Sequence, residues 1–475
     1  MTLIPLSECA SVRMMMNIIN FCKGGLFQMS VNIGMVSLGC SKNLVDSERM
    51  LYKIRERGYN LVTDPAKANV VVVNTCGFIQ SAKEEAIETI LEFSKLKEEG
   101  TIKKIIVTGC LAQRYREEMA EEFKDDVDAV VGIGSDEDII DIIDRVLANE
   151  HVVEFRSNLD LKLTGKRIIS TLPFFTYLKI AEGCSNCCSY CAIPMIRGKF
   201  RSVPMEDVIE EAKWLAEHGV TELNVVAQDS TRYGEDIYGK PMLAELLKKL
   251  CTIEKVKWVR VLYCYPERIT DELIDTIASE PKIVKYMDIP IQHCCSDVLA
   301  NMNRGGDKEQ LKILFEKLRS KIDNLTIRTT LITGFPGETE EQFTELAEFV
   351  KEIEFDRLGC FSYSEEEGTK AASMPDQVDE EVRSHRAEII MQQQQLISER
   401  KNNEKIGMIF ETVVEGYDQW GECFFGRTQS DAPDIDGKIF FDSKEKLKVG
   451  QFVKVRVTEA LDYDLMGEVI NESAE

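Results

Sequence analysis

The fold is decided by a cysteine-rich stretch, Glu182-Gly183-Cys184-Ser185-Asn186-Cys187-Cys188-Ser189-Tyr190-Cys191-Ala192-Ile193-Pro194, which follows an apolar strand pattern at residues 177–180. Cys184, Cys188 and Cys191 have the spacing Cys-x3-Cys-x2-Cys, in a loop short enough to surround one iron–sulfur cubane. Three protein ligands leave one iron of a [4Fe–4S] cluster open, whereas a fully ligated electron-transfer cluster has four cysteines. An open iron can bind a substrate atom.

Two other interpretations of this loop remain open. The pairs Cys184 with Cys187 and Cys188 with Cys191 also have the spacing of a zinc knuckle. Adjacent Cys187 and Cys188 would strain a shared tetrahedral site, so we predict that Cys187 is a spectator. The second alternative is that these thiols are plain core residues.

The loop resembles that of the radical S-adenosylmethionine (SAM) superfamily, in its spacing, in the aromatic Tyr190 before the third cysteine and in the strand before it. This resemblance implies that the open iron chelates the amino and carboxylate groups of SAM. Gly334-Phe335-Pro336-Gly337-Glu338-Thr339 also resembles a superfamily loop near the SAM site. The resemblance therefore implies Tyr190 and Gly334 as further cofactor-binding residues, although Gly and Pro at a strand exit by themselves predict only a turn.

Apolar strand patterns alternate with helical patterns on both sides of this loop. Six β/α units between residues 168 and 402 predict an open or partial barrel with its site at the C-terminal strand ends. The predicted strands lie at residues 177–180, 222–227, 258–262, 286–289, 326–332 and 356–361. A long polar helix, from about Asp379 to Asn402, closes this domain.

The same alternation predicts an α/β domain with a parallel sheet over residues 32–150. Cys40, Cys76 and Cys110 each follow a predicted strand, precede a helix and have a glycine beside them. Such strand exits share one edge of a parallel sheet, with neighbouring strands about 4.8 Å apart. We expect the three thiolates to hold a second [4Fe–4S] cluster with an open iron. The alternative is that three small buried residues are placed alike by chance.

The two ends of the chain have a different character. Residues 1–31 are rich in Met and lack a clear period, which predicts a loose extension. Residues 405–475 carry short β-type runs between Gly and Asp turns, which predicts a small closed β-barrel. The predicted fold is a multidomain α/β chain with an N-terminal parallel sheet, a central partial (β/α)6 barrel and a C-terminal β-barrel.

Composition narrows the class of protein. The 475 residues are 44% apolar and 29% charged, as in folded multidomain proteins, and the formal net charge of −24 disfavours general binding to nucleic acid or anionic lipid. Fifteen cysteines in a long acidic chain indicate metal or redox chemistry in a reducing compartment. No apolar run reaches about 18 residues, so we expect a cytoplasmic protein without a membrane partner.

The whole chain from about Asn32 onward resembles the methylthiotransferases, which combine a domain with three dispersed cysteines, a radical SAM barrel and a small β domain of the TRAM type. The ribosomal-protein branch (RimO) is indicated by three segments: Ser37-Leu38-Gly39-Cys40-Ser41-Lys42-Asn43-Leu44-Val45-Asp46-Ser47-Glu48, Gln228-Asp229-Ser230-Thr231-Arg232-Tyr233-Gly234 and Ser430-Asp431-Ala432-Pro433-Asp434-Ile435-Asp436-Gly437. Three features depart from the branch: Ser41 where Pro is common, the extra Cys187, and the N-terminal extension.

This resemblance implies two [4Fe–4S] clusters and SAM as cofactors, and no catalytic side chain, because the clusters and SAM carry the chemistry. One SAM methylates a sulfur at the open iron of the Cys40, Cys76 and Cys110 cluster, and a second is the radical source. The methylthio group goes to the β-carbon of an aspartate in ribosomal protein S-twelve. An unactivated C–H bond requires such a cofactor. Both clusters are expected to reach that carbon, and the electron donor is expected to be a flavodoxin or ferredoxin.

The charge of the last domain bears on the substrate. Residues 405–475 contain 15 acidic and 8 basic residues, a net charge of −7, which favours a basic ribosomal protein over tRNA. An acidic surface that serves solubility alone is the alternative. The competing functions are a tRNA adenosine methylthiotransferase, a radical enzyme that uses the N-terminal cluster for electron transfer, and a zinc-stabilised RNA- or ribosome-binding protein without catalysis.

Several other polar and thiol side chains have weaker signals. His293, Cys294 and Cys295 end a predicted barrel strand, and we expect them to line the SAM pocket or fill core. Arg197 and Arg201 follow the cysteine loop, and either meet a substrate carboxylate or pair with acids of the protein itself. The cysteines without ligand spacing are predicted core or incidental thiols: Cys9, Cys22, Cys251, Cys264, Cys360 and Cys423.

Overall fold

A computed structural model describes residues 31–470, so the predicted extension at 1–31 lies outside the described residues except for Val31. These residues pack as two compact units. The first contains the described chain up to Pro173, together with Tyr177–Ser185 and Cys191–Glu211. The second contains Phe174–Thr176, Asn186–Tyr190 and the chain from Ala212 onward. The domain boundaries drawn from the sequence stay a prediction.

The first unit is built on a parallel sheet of six strands in the order β2-β1-β3-β4-β5-β6. The strands are β1 (Asn32–Ser37), β2 (Asn60–Leu61), β3 (Val70–Thr75), β4 (Lys104–Gly109), β5 (Ala129–Val131) and β6 (Val152–Glu154). The helices are α1 (Ser41–Glu56), α2 (Gln80–Glu98), α3 (Cys110–Arg114), α4 (Arg116–Glu122) and α5 (Ile139–Leu147). The predicted parallel α/β domain is confirmed, and it has three strands more than the sequence patterns indicated.

Both faces of this sheet are covered, which explains its uninterrupted apolar strands. In β3, Val71 and Val73 pack with residues of α2 such as Ile90, whereas Val70 and Val72 pack on the other face with residues of α1 and α5. The missed strands β2, β5 and β6 are only two or three residues long, so they carry no periodic signal.

The strand order places the three cysteine-bearing exits beside one another. β3 lies between β1 and β4, with Ser37 opposite Asn74 and Thr75 opposite Gly109. The chain passes from β1 to β2 on one side and then to β3 on the other. In such sheets ligands bind beyond the carboxyl ends of the strands at this switch in direction. The cysteines that follow β1, β3 and β4 therefore lie at the usual binding edge of the sheet.

The central sheet has the linear order β14-β13-β12-β11-β10-β7, and β10 to β14 pair in parallel. Its strands are β7 (Phe175–Lys179), β10 (Glu222–Val226), β11 (Trp258–Val261), β12 (Ile283–Asp288), β13 (Thr326–Thr333) and β14 (Arg357–Ser362), and a separate antiparallel pair is formed by β8 (Ala181–Glu182) and β9 (Arg201–Ser202). Six sequentially ordered strands that do not close confirm the predicted partial barrel.

Nine helices accompany these strands in the described chain. They are α6 (Ile193–Arg197), α7 (Met205–Glu217), α8 (Glu235–Tyr238), α9 (Leu243–Cys251), α10 (Asp271–Ser279), α11 (Ser296–Asn301), α12 (Lys308–Lys321), α13 (Glu340–Ile353) and α14 (Glu380–Asn403). The predicted closing helix is α14, and its Asp379 cap accepts a hydrogen bond from the Glu381 N–H group.

The C-terminal strands form a closed barrel in the order β15-β16-β17-β19-β18. They are β15 (Ile409–Asp418), β16 (Cys423–Thr428), β17 (Ile439–Asp442), β18 (Phe452–Ala460) and β19 (Leu465–Val469). Their inward side chains, among them Ile439, Val455 and Leu465, make a small apolar core. The predicted barrel is confirmed; the sequence patterns indicate β-type runs at residues 410–414, 422–425, 438–441 and 452–457, and they miss β19. Among residues 31–470, no helix is long and apolar enough to cross a membrane.

Candidate functional site

Cys40, Cys76 and Cys110, which we call the N-terminal trio, lie at adjacent strand exits and require close backbone approach. A Cβ atom on Gly39 would lie 2.9 Å from the Cys76 Sγ atom, and the φ of Gly39 is +87°. A Cβ atom on Gly77 would lie 2.7 Å from the Cα atom of the residue after Cys110. Only glycine fits such contacts. At both positions the absence of a side chain lets the backbone segments that carry the cysteines approach closely.

The three thiols of the trio influence each other's ionisation. Burial, together with the charges of Cys110 and Cys40, raises the pKa of Cys76 to about 12. Burial also raises the pKa of Cys110 despite the nearby Arg197. Desolvation works against the Cys40 thiolate as well, yet Lys42, Arg197 and backbone N–H groups at the start of α1 lower its pKa. Three thiolates this close repel one another, so full ionisation requires a cation among them.

Arg197, the last residue of α6, inserts its guanidinium beside the trio. Its Nη2 atom donates hydrogen bonds to the Cys110 Sγ atom at 3.3 Å and to the Asn43 Oδ1 atom at 2.9 Å. Its Nη1 atom donates to Asp46 at 2.7 Å and to Glu182 at 3.1 Å. Of the two roles left open for Arg197, pairing with acids of the protein is the one found.

A second cation completes this buried group. The Lys179 ammonium donates to Asp46 and, at 2.9 Å, to Glu182. Burial alone would raise the pKa of Glu182, but Arg197 and Lys179 together bring it well below its ordinary value. Sequence reasoning missed Lys179, Asp46 and Glu182 as a unit. The available signal was a lysine within the otherwise apolar strand β7.

The cysteines of the cysteine loop differ in burial and in their neighbours. Cys184 is buried, and its backbone N–H donates to the Gly198 carbonyl at 3.1 Å. The Cys188 Sγ atom lies 3.4 Å from the Tyr265 hydroxyl oxygen. Cys191 is half-buried, whereas Cys187 is exposed and has a left-handed φ of +51°. The cluster ligands therefore stay a prediction, with Cys184, Cys188 and Cys191 as the set. The spectator role of Cys187 also stays a prediction.

A buried arginine that the sequence analysis missed lies near Cys188. The Arg304 guanidinium stacks 4.1 Å from the ring centre of Tyr265 and donates to the Pro290 carbonyl at 2.8 Å. Burial lowers the pKa of Arg304, but electrostatic interactions with Tyr190, Tyr265 and Cys188 outweigh it and raise that pKa above its ordinary value. Tyr190 packs in the apolar cluster that contains Phe335. No spacing rule in the sequence singles out Arg304.

The loop at Gly334 is held by a carboxylate. The Gly334 N–H donates to both carboxylate oxygens of Glu338 at 3.0 Å, and the φ of Gly334 is +69°. Arg386 donates to Glu338 at 2.8 Å, and the His293 Nε2 atom lies 3.6 Å from it. Burial lowers the pKa of His293 to about 3, so this imidazole is neutral. A role of Gly334 toward SAM stays a prediction.

Among the other residues singled out by the sequence, Cys9 and Cys22 lie outside the described residues. His293, Cys294 and Cys295 are buried, as core residues are. Arg201 donates to the carbonyls of Leu159 and Asn158 at 2.8 and 3.0 Å. It therefore pairs with backbone oxygens rather than with acids.

The thiol chemistry of the site fits iron–sulfur clusters. All thirteen cysteines of residues 31–470 are free thiols. Within the same residues, no group of three His, Cys, Asp or Glu side chains is close enough to hold a single metal ion. A cubane makes a different demand, because each cysteine binds a different iron atom. The trio suits that demand, since its three thiols follow adjacent strands at one sheet edge with close-fitting glycines.

Three family models match the chain in the order of its folded parts. The model described as uncharacterized protein family UPF0004 matches residues 32–132. The radical SAM superfamily model matches residues 178–350, and the TRAM domain model matches residues 406–470.

Curated relatives match almost the whole chain. The ribosomal protein uS12 methylthiotransferase RimO of Lachnoclostridium phytofermentans is 50% identical over 438 residues, which cover 92% of this chain and 99% of the relative. The protein of the same name from Clostridioides difficile is 49% identical over 449 residues, covering 94% and 100%. A solved structure of the radical SAM methyltransferase TsrM from Kitasatospora setae, with cobalamin and a [4Fe–4S] cluster bound, is similar in fold alone. Its TM-score is 0.52 at 12% identity, over 70% of this chain and 75% of that one.

Proposed function

The chain belongs to the RimO methylthiotransferase family, and on this premise we propose that it adds a methylthio group to the β-carbon of an aspartate in ribosomal protein uS12. It is a radical SAM enzyme, with two [4Fe–4S] clusters and SAM as cofactors. We assign one cluster to Cys40, Cys76 and Cys110, and the other to Cys184, Cys188 and Cys191. Tyr190 and Gly334 are proposed to contact SAM.

The observation that carries this proposal is the register of three adjacent strand exits. Because β3 lies between β1 and β4, the trio collects at one sheet edge although its members are far apart in sequence. A plain core would not require thiols this close together, where burial and the charges of neighbouring trio members raise the pKa of Cys76 and Cys110. A second cluster with an open iron, distinct from the SAM cluster, is the feature that a sulfur-inserting enzyme needs.

When bound, the clusters and SAM supply the radical that breaks an unactivated C–H bond and the sulfur that replaces the hydrogen. The protein residues prepare the ligands. Lys42, Arg197 and the N–H groups at the start of α1 favour the Cys40 thiolate, which is the form that binds iron. The Arg197 and Asn43 side chains fix one another beside Cys110. The Tyr265 hydroxyl lies within hydrogen-bonding distance of Cys188.

Two acidic residues of the C-terminal barrel are neutralised inside the fold rather than at its surface. Glu415 and Asp431 are buried, and they pair with Arg427 and Arg357 at 2.6 and 2.5 Å. These charges are balanced inside the fold and contribute little to attraction at a distance. Glu415 and Arg427 both belong to the barrel, so these two pairs change the net charge of residues 405–475 by only one unit, and the barrel stays acidic within a chain of net charge −24.

The test is an anaerobic assay of the reconstituted enzyme with SAM, sulfide and a uS12 peptide that contains the candidate aspartate. We expect mass spectrometry to find a methylthio group in place of one hydrogen on that aspartate. The matched control peptide carries asparagine at the same position. Unmodified uS12 peptide together with methylthiolated tRNA adenosine in a parallel reaction would contradict the proposed substrate.

The physiological electron donor and the location are further parts of the proposal. We propose that a flavodoxin or ferredoxin supplies the electron in the cytoplasm, where the ribosomal substrate is found. Replacing dithionite by a reduced flavodoxin in the same assay is expected to sustain product formation. Turnover with dithionite but with neither carrier protein would contradict this assignment.

A further inference from the structure

Arg197 connects the segment after the cysteine loop to the N-terminal trio. It lies six positions after Cys191 and ends helix α6. Its side chain is only 1% exposed, and its Nη2 atom donates to the Cys110 Sγ atom at 3.3 Å. Sulfur is a weaker hydrogen-bond acceptor than oxygen, so a buried guanidinium donates to it only where the fold holds both groups in place.

The surroundings hold the Arg197 guanidinium in one orientation. Its Nη1 atom is bound to Asp46 at 2.7 Å and to Glu182 at 3.1 Å, so rotation away from Cys110 would break two buried ion pairs. Ala192 and Ile196 of the same segment pack on Cys110. The contact with sulfur is therefore built by polar and apolar neighbours together.

We propose that Arg197 is a positioning residue of the N-terminal cluster, which holds Cys110 and raises the reduction potential of that cluster. The inference rests on the proposed ligation of iron by the trio. Reduction adds one electron, [4Fe–4S]2+ + e− → [4Fe–4S]+, supplied by an external low-potential donor. A fixed cation with an N–H group on a ligand sulfur stabilises the additional negative charge, and hydrogen bonds to the sulfurs and net charge set the potentials of such clusters.

The test uses the full-length chain with Cys184, Cys188 and Cys191 replaced by alanine, so that only the trio can hold a cluster. After anaerobic reconstitution with ferrous iron and sulfide, the cluster is titrated with dithionite and followed by electron paramagnetic resonance. We expect Arg197→Gln to shift the midpoint to lower potential. Arg197→Lys keeps the charge but not the paired donors, so its midpoint is expected between those of Arg197→Gln and the parent.

Arg201→Gln is the matched control, because Arg201 follows in the same segment and donates only to backbone carbonyls of Asn158 and Leu159. Its midpoint is expected to equal that of the parent. Should Arg197→Gln fail to fold by circular dichroism, Asp46→Asn/Arg197→Gln removes the unpaired carboxylate and is expected to keep a smaller shift. A folded Arg197→Gln chain that loses its iron, while Arg201→Gln retains it, also supports the positioning of Cys110.

The outcomes separate this role from the cluster assignment. A parent chain that binds no iron would overturn the ligation by the trio. A parent with about four irons, whose midpoint and spectrum equal those of the folded Arg197 variants, would overturn only the role of Arg197.

Discussion

Each of the two compact units buries a group of two cations and two carboxylates, and the two groups have different neighbours. The first-unit charge cluster consists of Lys179, Arg197, Asp46 and Glu182. The second-unit charge cluster consists of Arg260, Arg427, Glu222 and Glu415. Arg427 also donates a hydrogen bond to the Asp431 carbonyl, whereas Arg197 also donates one to the Cys110 Sγ atom.

The difference separates a buried charge cluster that contacts only polar protein groups from one that also contacts a proposed cluster ligand. Both clusters are balanced in formal charge, and such groups persist in a protein interior only when every charge is paired. The first-unit cluster has no spare positive charge to neutralise three thiolates. Ionisation of all three thiols would therefore require a further cation such as the proposed iron, whereas Arg197 contacts the trio only through Cys110.

Removing one thiol of the N-terminal trio, which lies beside the first-unit charge cluster, is expected to have the largest effect. Cys76→Ala should lower the iron content from about eight to about four per chain, because one of two cubanes loses a ligand. We expect no methylthiolated product in the uS12 peptide assay. Iron and labile sulfide analysis, with mass spectrometry of the peptide, measures both.

The control for this variant is Cys187→Ala, since Cys187 is exposed and predicted to be a spectator. It should retain iron and product formation. Equal iron content and turnover in Cys76→Ala and the wild type would contradict the assignment of the trio.

Disrupting the second-unit charge cluster should lower the free energy of unfolding without changing the proposed cofactor sites. Arg427→Met leaves Glu222 and Glu415 without their shared partner, and removal of one member of a buried pair costs about 3–5 kcal/mol. Urea unfolding of the second unit, monitored by circular dichroism, measures the loss. The iron content should stay at the wild-type value.

The matched variant is Arg456→Met on the same β-barrel, where the pair with Glu468 is exposed and 3.8 Å long. Its expected cost is about 0–1 kcal/mol, as for surface ion pairs. Equal costs in the two variants would show that the buried cluster is not what stabilises this region.

A smaller effect is expected in the pH dependence of the same cluster. Burial opposes ionisation of Glu222, but Arg427 and Arg260 bring its pKa below the ordinary value of about 4.3. The stabilising contribution is therefore complete above that ordinary pKa and is lost as the pH falls toward the pKa of the folded state.

Glu222→Gln should accordingly destabilise the chain at neutral pH, and the difference from the wild type should shrink below about pH 4.3. Urea midpoints between pH 3 and 7 measure this. A difference that grows as the pH falls would mean that Glu222 is protonated in the folded state at neutral pH.

The sequence predicted the folds well wherever strands are long and apolar. β3 reads Val70-Val71-Val72-Val73, and the exits after β1, β3 and β4 could be found from these runs and the glycines beside the cysteines. β5 and β6 could not be predicted, because three residues carry no periodicity and their pairing is decided by neighbours distant in sequence. The strand β19 closes the barrel by pairing with β17 and β18, which is also a tertiary event.

The thiols of the candidate site could be predicted from the sequence, whereas the pairing of its charged side chains could not. Cysteine spacing and strand-exit placement are local features, so they could be interpreted without coordinates. The sequence could not decide between two roles for Arg197, because its partners Asp46 and Glu182 come from separate segments of the chain. The burial of Arg304 beside Tyr265 likewise depends on packing between remote elements.

The central claim, that the N-terminal trio is a cluster site independent of the SAM-binding loop, is tested most directly by counting iron in the chain that lacks the three loop cysteines. After anaerobic reconstitution of the Cys184→Ala/Cys188→Ala/Cys191→Ala variant, we predict about four irons and four sulfides per chain with the Mössbauer spectrum of a [4Fe–4S] cluster. A folded variant that binds no iron, or that binds zinc in its place, would contradict the account.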